Sequence, residues 1–218
     1  YFVLINLGYP QEIVMHVAVA SSLGIISLTS LSSIRTHLYL GNTNIAIVKK
    51  WMAGIFSGSL IGSLLASNLS GEILIIIFIS LALIISINMI FQNKTYLISN
   101  DLPRSKIINF LLSSAIGFLS VLIGIGGGSF SVPILNMFSV KIHEAVGTSA
   151  VFGFIISFPG AIVFMITGSF IDGMPNYTIG YMNFLIVLTV SSASVFTAII
   201  GAQVSSKIDK LILKRIFA

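Results

Sequence analysis

The chain has 218 residues, 56% of them hydrophobic and 8% charged, with a net charge of +5. A soluble domain carries about 25% charged residues, so a soluble globule of this composition could not cover its own surface and the soluble fold classes are set aside. The basic residues sit in short segments between apolar runs, with no basic helix face or aromatic ladder to follow a phosphate backbone, which sets aside nucleic acid as a partner.

A membrane-spanning helix needs about 20 mostly apolar residues. The first such run lies near 13–38, and a polar loop from Gly41 to Lys50 follows it. Trp51, read as an interfacial aromatic, opens a second span near 51–68, and Ser70-Gly71-Glu72 makes a tight turn into a third near 73–91. The longest polar segment, 92–106, divides the chain, and Pro103 breaks any helix there. The second half begins with an apolar segment from Ile107 to Ile123 and ends it in Gly124-Ile-Gly-Gly-Gly-Ser-Phe-Ser-Val-Pro133. A short helix to Phe138 and spans near 145–168 and 181–204 complete it. The chain opens on Tyr1 inside an apolar stretch and closes on a helix begun near Leu211, so it reads as part of a longer protein. There are no cysteines, hence neither disulfides nor thiol chemistry.

The two halves resemble each other. Gly54, Gly58 and Gly62 recur at every fourth residue, as do Ala193, Thr197, Gly201 and Ser205, and both make small-residue faces for close helix packing within the chain or in a homodimer. Upstream, Val17 to Ser22 (VAVASS) resembles Ala145 to Ala150 (AVGTSA). Arg35, Lys49 and Lys50 follow the first span, and Lys94, Arg104 and Lys106 follow the third, which makes that face cytoplasmic. Glu72 and Asp172 then lie outside, and Lys141, Lys207 and Lys210 inside. With Lys106 and Lys141 on one side, the segment from Ile107 to Phe138 must enter the membrane and return. The halves are therefore inverted. The expected fold is an all-α polytopic membrane bundle of two inverted repeats (1–92 and 107–218, joined by a cytoplasmic linker at 93–106) with a glycine-broken re-entrant hairpin.

The candidate site is that break. Consecutive glycines at membrane depth expose backbone amides, which is tolerated where the backbone is buried in protein or lines a wet cavity. A half-helix starting near Phe130, with Pro133 in its first turn, presents free N–H groups and a partial positive charge to an anion. Gly126, Gly127, Gly128, Ser129 and Pro133 are its residues; Thr148 and Ser149, with Ser21 and Ser22 as first-half counterparts, offer hydroxyls that otherwise bond their own helix. His16, near the outer end of the first span, is a candidate for proton coupling, whereas His37 reads as interfacial and Glu144 as a partner of Lys141. No acidic residue falls in mid-membrane, and His16 and His37 are too far apart for a metal motif, so neither metal nor cofactor is expected. Gly147-Thr148-Ser149 is not a nucleophile elbow, and no enzyme activity is expected.

Gly124 to Leu135 (GIGGGSFSVPIL), Glu144 to Ala150 (EAVGTSA), His16 to Leu23 (HVAVASSL) and Ser33 to Asn42 (SIRTHLYLGN) resemble the TauE/SafE sulfite-exporter family over nearly the whole chain. The resemblance implies two duplicated membrane modules in the plasma membrane and a permease for small sulfur-containing anions such as sulfite or sulfonates, with Gly126, Gly127, Gly128, Thr148 and Ser149 at the central site. The leading expectation is a secondary transporter working by alternating access in the lipid bilayer; the alternative is a non-transporting membrane assembly or sensory partner.

Overall fold

The computed structural model of the chain describes residues 2–91, 97–171 and 174–208. It is helical almost throughout: α1 (Phe2–Asn6), α2 (Gln11–Tyr39), α3 (Ile45–Asn68), α4 (Gly71–Phe91), α5 (Lys106–Ile123), α6 (Gly128–Met137), α7 (Ile142–Gly168) and α8 (Phe184–Lys207). Among the described residues α2, α3, α5, α7 and α8 are long and apolar enough to cross a membrane. The small hairpin of β1 (Thr178–Ile179) and β2 (Met182–Asn183), joining α7 to α8, has no counterpart among the elements expected from the sequence. Lys94, Asp172, Lys210 and the helix expected near Leu211 lie outside the described residues.

The starts and stops follow local chemistry. The side chains of Asn44, Ser105 and Asn183 accept from the amides of Ile47, Ile108 and Ile186 and so cap α3, α5 and α8. Asn44 caps three residues before Ile47, so α3 begins at Ile45 and draws Lys49 and Lys50 into its first turns, where the sequence reading had a loop. Gly124 ends α5 in the left-handed region at φ 73°, a conformation that costs a side-chain-bearing residue about 1 kcal/mol.

The inversion is written in hydrogen bonds. The amide of Asn44, at the start of α3, donates to Thr148 Oγ1 on α7 at 3.0 Å. The amide of Asn183, at the start of α8, donates to Ser21 Oγ on α2 at 3.2 Å. The loop after α2 therefore packs on the head of α7, and the loop after α7 packs on the head of α2, so the two long helices are antiparallel equivalents. These bonds set Ser21 opposite Thr148, one residue off the register in which the strings VAVASS and AVGTSA were first matched. In the corrected register His16 pairs with His143, and Asn44 with Asn183.

The hairpin of α5 and α6 returns to the side from which it entered. Met137 O at the end of α6 accepts from the amide of Ile98 at 2.9 Å, and Ser139 Oγ donates to Ser99 O at 3.3 Å, so the descending arm ends beside the linker that precedes α5. Lys50 Nζ reaches Pro103 O of the same linker. Every lysine and arginine among the described residues lies at this inner end of the bundle, and at the outer end the charged side chains are Glu12 and Glu72. This is the charge asymmetry of a multi-pass membrane protein with its inner end in the cytoplasm.

Helix α3 lies along α5 with backbones nearly touching. A Cβ on Gly58 would overlap the Ser114 carbonyl, and one on Gly117 would overlap the Ile55 carbonyl. Trp51 is fully buried, stacks on Phe152 of α7 and donates through Nε1 to Asn109 Oδ1 at 2.9 Å. It is thus a core residue at the α3, α5 and α7 junction rather than an interfacial one. Leucine, isoleucine and phenylalanine face outward along α3, α4, α5 and α8, as a lipid-facing surface requires.

Candidate functional site

The break between α5 and α6 lies against the middles of α2 and α7. The backbone at Gly126 abuts Ile26 and Gly153, and Gly127 abuts Ile156, each close to the centre of its helix. Beside them the hydroxyls of Ser27 and Ser157 pair at 3.0 Å across the α2 and α7 crossing. The glycines thus stand at mid-membrane depth, between the two halves.

Helix α6 starts at Gly128, two residues earlier than its sequence suggests, with Gly127 as a left-handed N-cap at φ 76°. Pro133 consequently sits inside the helix and not in its first turn. Pro133 has no N–H to donate to Ser129 O, and the last turn of α6 closes separately, Val140 and Phe138 both donating to Leu135 O. The first-turn amides are free, as at any helix start without a side-chain cap. Gly127 N donates to Ile125 O, but the amides of Gly126, Gly128 and Ser129 donate to no carbonyl among the described residues. Ser120 Oγ, fully buried at the end of α5, also has no partner there, and a Cβ at Gly127 would lie 3.7 Å from it. The Ser120 hydroxyl lies beside Gly127, the residue between Gly126 and Gly128, at the start of α6 where the helix dipole adds positive potential.

The other sequence candidates divide. Ser149 faces the break: a Cβ on Gly128 would come within 3.8 Å of its Oγ, which now donates to Val146 O at 2.7 Å. Ser22 Oγ donates to Gly124 O at 2.8 Å, holding α2 to the end of α5. Thr148 and Ser21 are occupied as acceptors for the two cap asparagines and hold the halves together. The side chains of Ser129 and Pro133 line a separate crevice of about 140 Å³ against Ile84 and Ile85 of α4, so Ser129 contributes to the break through its amide alone.

His16 is not at the break. It lies about 15 Å along α2 from Ile26 at 1.5 Å per residue. Its ring stacks on Tyr181 with centroids 4.8 Å apart, its Nε2 lies 3.0 Å from Leu69 O, and its Nδ1 has no partner among the described residues. Burial raises the Tyr181 hydroxyl above its ordinary range, so the ring facing His16 stays neutral. His37 is buried at the inner end of α2. Glu144 takes a hydrogen bond from Asn44 Nδ2, which gives it a partner on α3 in place of the expected Lys141. Ser120 was missed by the sequence reading. Serines are common in these helices and most return their proton to their own backbone, so nothing local sets this one apart.

Two inverted halves thus surround a broken, re-entrant helix, with the break at mid-depth between them. A family model described as the sulfite exporter TauE/SafE matches residues 2–218. The chain belongs to that family. It is 31% identical over 211 residues to a probable membrane transporter protein of Haemophilus influenzae, covering 96% of this chain and 79% of that one. It is 30% identical over 217 residues to a probable membrane transporter protein of Methanocaldococcus jannaschii, covering 95% and 76%. The YdhB probable membrane transporter protein of Bacillus subtilis is 25% identical over 221 residues, covering 98% and 84%. No solved structure matches the chain. The protein is a multi-pass membrane transporter of the cell membrane.

Proposed function

We propose that the protein carries small anions, sulfite and organosulfonates foremost, by alternating access around the break between α5 and α6. The observation behind this reading is that the amides of Gly126, Gly128 and Ser129 have no carbonyl partner at mid-depth, with the unpartnered Ser120 hydroxyl beside Gly127. A sulfite or sulfonate group presents three oxygens, and hydrogen bonds to a charged acceptor contribute about 1.5–3 kcal/mol each. Ser149 needs only a change of rotamer to join them. The family description favours sulfur oxyanions among the anions that would fit.

In this reading the two cap asparagines mark the gates. Asn44 with Thr148 and Glu144 closes the inner end, and Asn183 with Ser21 and Tyr9 closes the outer end. His16 stands at the outer gate and is the group through which a proton would couple.

The test is flux in proteoliposomes, screening sulfite, sulfate, organosulfonates and carboxylates with and without a pH gradient. A Cβ on Gly127 would overlap Ile156 Cδ1 at a backbone angle valine avoids. Gly127→Val should therefore abolish saturable flux while the protein still inserts and elutes as one species. Undiminished flux in this variant would remove the break as the site. Absence of flux for every anion, from well-folded protein, would remove the anion reading.

A further inference from the structure

We infer that the crevice between the inner halves of α2 and α8 is a binding site for an anionic phospholipid of the cytoplasmic leaflet. The crevice has a volume of about 590 Å³. Leu28, Leu31 and Val195 line the part nearer mid-membrane, and Arg35, Tyr39, Ile199 and Gln203 the part at the inner end. Along α2 the residues 28, 31, 35 and 39 follow one helical face, so polarity changes along that face from aliphatic to cationic to aromatic. A phospholipid has the same profile: acyl chain, phosphate, headgroup. Lys207 lies one turn beyond Gln203 on α8 and adds a second cation farther toward the inner end. No acidic side chain lines the crevice, and the described inner-end carboxylates, Asp101 and Glu144, belong to the linker and to α7.

The inverted repeat supplies a control. In the registers fixed by the cap asparagines, the positions of Arg35, Tyr39 and Gln203 correspond to Ile162, Ile166 and Leu64 at the outer end of α7 and α3. These three are exposed and apolar, so the equivalent groove looks onto lipid and carries no cation. The charge is confined to the copy that opens on the cytoplasmic leaflet, where anionic lipids reside. A helix is the less suitable occupant. Where one does pack on the equivalent helix, α5 uses the Gly54, Gly58 and Gly62 face of α3. The matching face of α8, at Ala193, Thr197 and Gly201, points away from the residues at 195, 199 and 203 that line the crevice. The crevice and the α5-type packing face are on opposite sides of α8. Ser32 Oγ donates to Val195 O at 2.9 Å at the crevice floor, so a lipid seated there clamps α2 to α8.

The experiment is native mass spectrometry and thermal unfolding of the purified full-length protein in detergent, with phosphatidylglycerol, phosphatidylcholine or inorganic phosphate added. The wild type should retain one phosphatidylglycerol per chain and gain several degrees in Tm, with neither effect from phosphatidylcholine or phosphate. Arg35→Gln should weaken retention at least tenfold, whereas Arg104→Gln, an inner cation outside the crevice, should not. Val195→Trp, which fills the apolar part and leaves the charge in place, should displace the lipid as well, and provides the answer if Arg35→Gln does not fold. Equal retention of the two lipids, retention by both crevice variants, or the same stabilisation by phosphate alone would overturn the assignment. None of these outcomes depends on which solute the break carries.

Discussion

Ser120 carries the most specific residue-level expectation. Its hydroxyl is buried with no partner among the described residues, so removing it leaves nothing unpaired there. Ser120→Ala should therefore leave thermal stability within about 0.5 kcal/mol of wild type, the range of substitutions that break no contact. It should raise the KM for the transported anion about tenfold, the worth of one hydrogen bond to a charged group. An unchanged KM would place the anion elsewhere. His16 makes a complementary case at the outer gate. His16→Gln keeps a hydrogen-bonding group near Leu69 O but cannot titrate, so flux should become insensitive to an imposed pH gradient while persisting without one. The glycines of the break could be read from the sequence because only a special backbone needs several in succession. Ser120 could not be, since its significance lies in a proximity to Gly127 that folding creates. Pro133 misled for the opposite reason: a proline suggests a first turn, but Gly127 and Gly128 had already started the helix.

At the scale of elements, the bundle depends on how closely α3 and α5 approach. Gly58→Leu must push the backbones apart at Ser114, and overpacking of this kind costs about 1–3 kcal/mol. A lowered Tm with loss of the α5 and α6 hairpin from its place should follow, read as increased protease access at the linker between 97 and 105. Asn109 ties the same pair together at the inner end, accepting from Trp51 Nε1 while donating to the carbonyls of Pro103 and Ser105. Asn109→Leu strands a buried indole N–H, and about 2 kcal/mol of stability should be lost in a denaturation series. The spans themselves were legible from apolar run length, to within a few residues at most ends. Trp51 was not, because an aromatic near the head of a span has the same sequence signature whether it faces headgroups or a neighbouring helix. The β1 and β2 hairpin was equally hidden, its two-residue strands being too short for any period to register.

The whole molecule is two copies of one design meeting head to tail, and the cap asparagines make that arrangement testable. If they latch opposite gates, Asn44→Ala should favour the inward-open form and Asn183→Ala the outward-open form. Each substitution keeps the backbone amide bond to Thr148 or Ser21 but removes the side-chain bond to Glu144 or Tyr9, about 1.5 kcal/mol, which shifts a two-state population about tenfold. The chain has no cysteine, so single probes can be placed without background. Labelling of Ser149→Cys by an impermeant thiol reagent from the cytoplasmic side should rise in the first variant, and of Ser22→Cys from the outside in the second. Increases on the reverse sides would refute the assignment of gates. Inversion was legible in the sequence because cations accumulate on one face whichever way a segment is threaded, and two short polar segments with lysines on the same side of a broken run leave one topology. The register between the copies was not, since strings of Ala, Val and Ser match equally well one residue apart, and only the two backbone amides that reach Ser21 and Thr148 decide it.

The position of the glycine break has an electrical consequence. Ile26, Gly153 and Ile156 put it near the middle of the two long helices, so a monovalent anion held there has crossed about half of the membrane voltage. At about 2.3 kcal/mol per charge per 100 mV, that amounts to roughly 1.2 kcal/mol at a potential of 100 mV. An interior-negative cell would load this site from the cytoplasm with less work than from the outer side and would drive its cargo outward. Direction of transport would then be set by the membrane potential acting on a symmetrically placed charge, with no asymmetry required in the site itself.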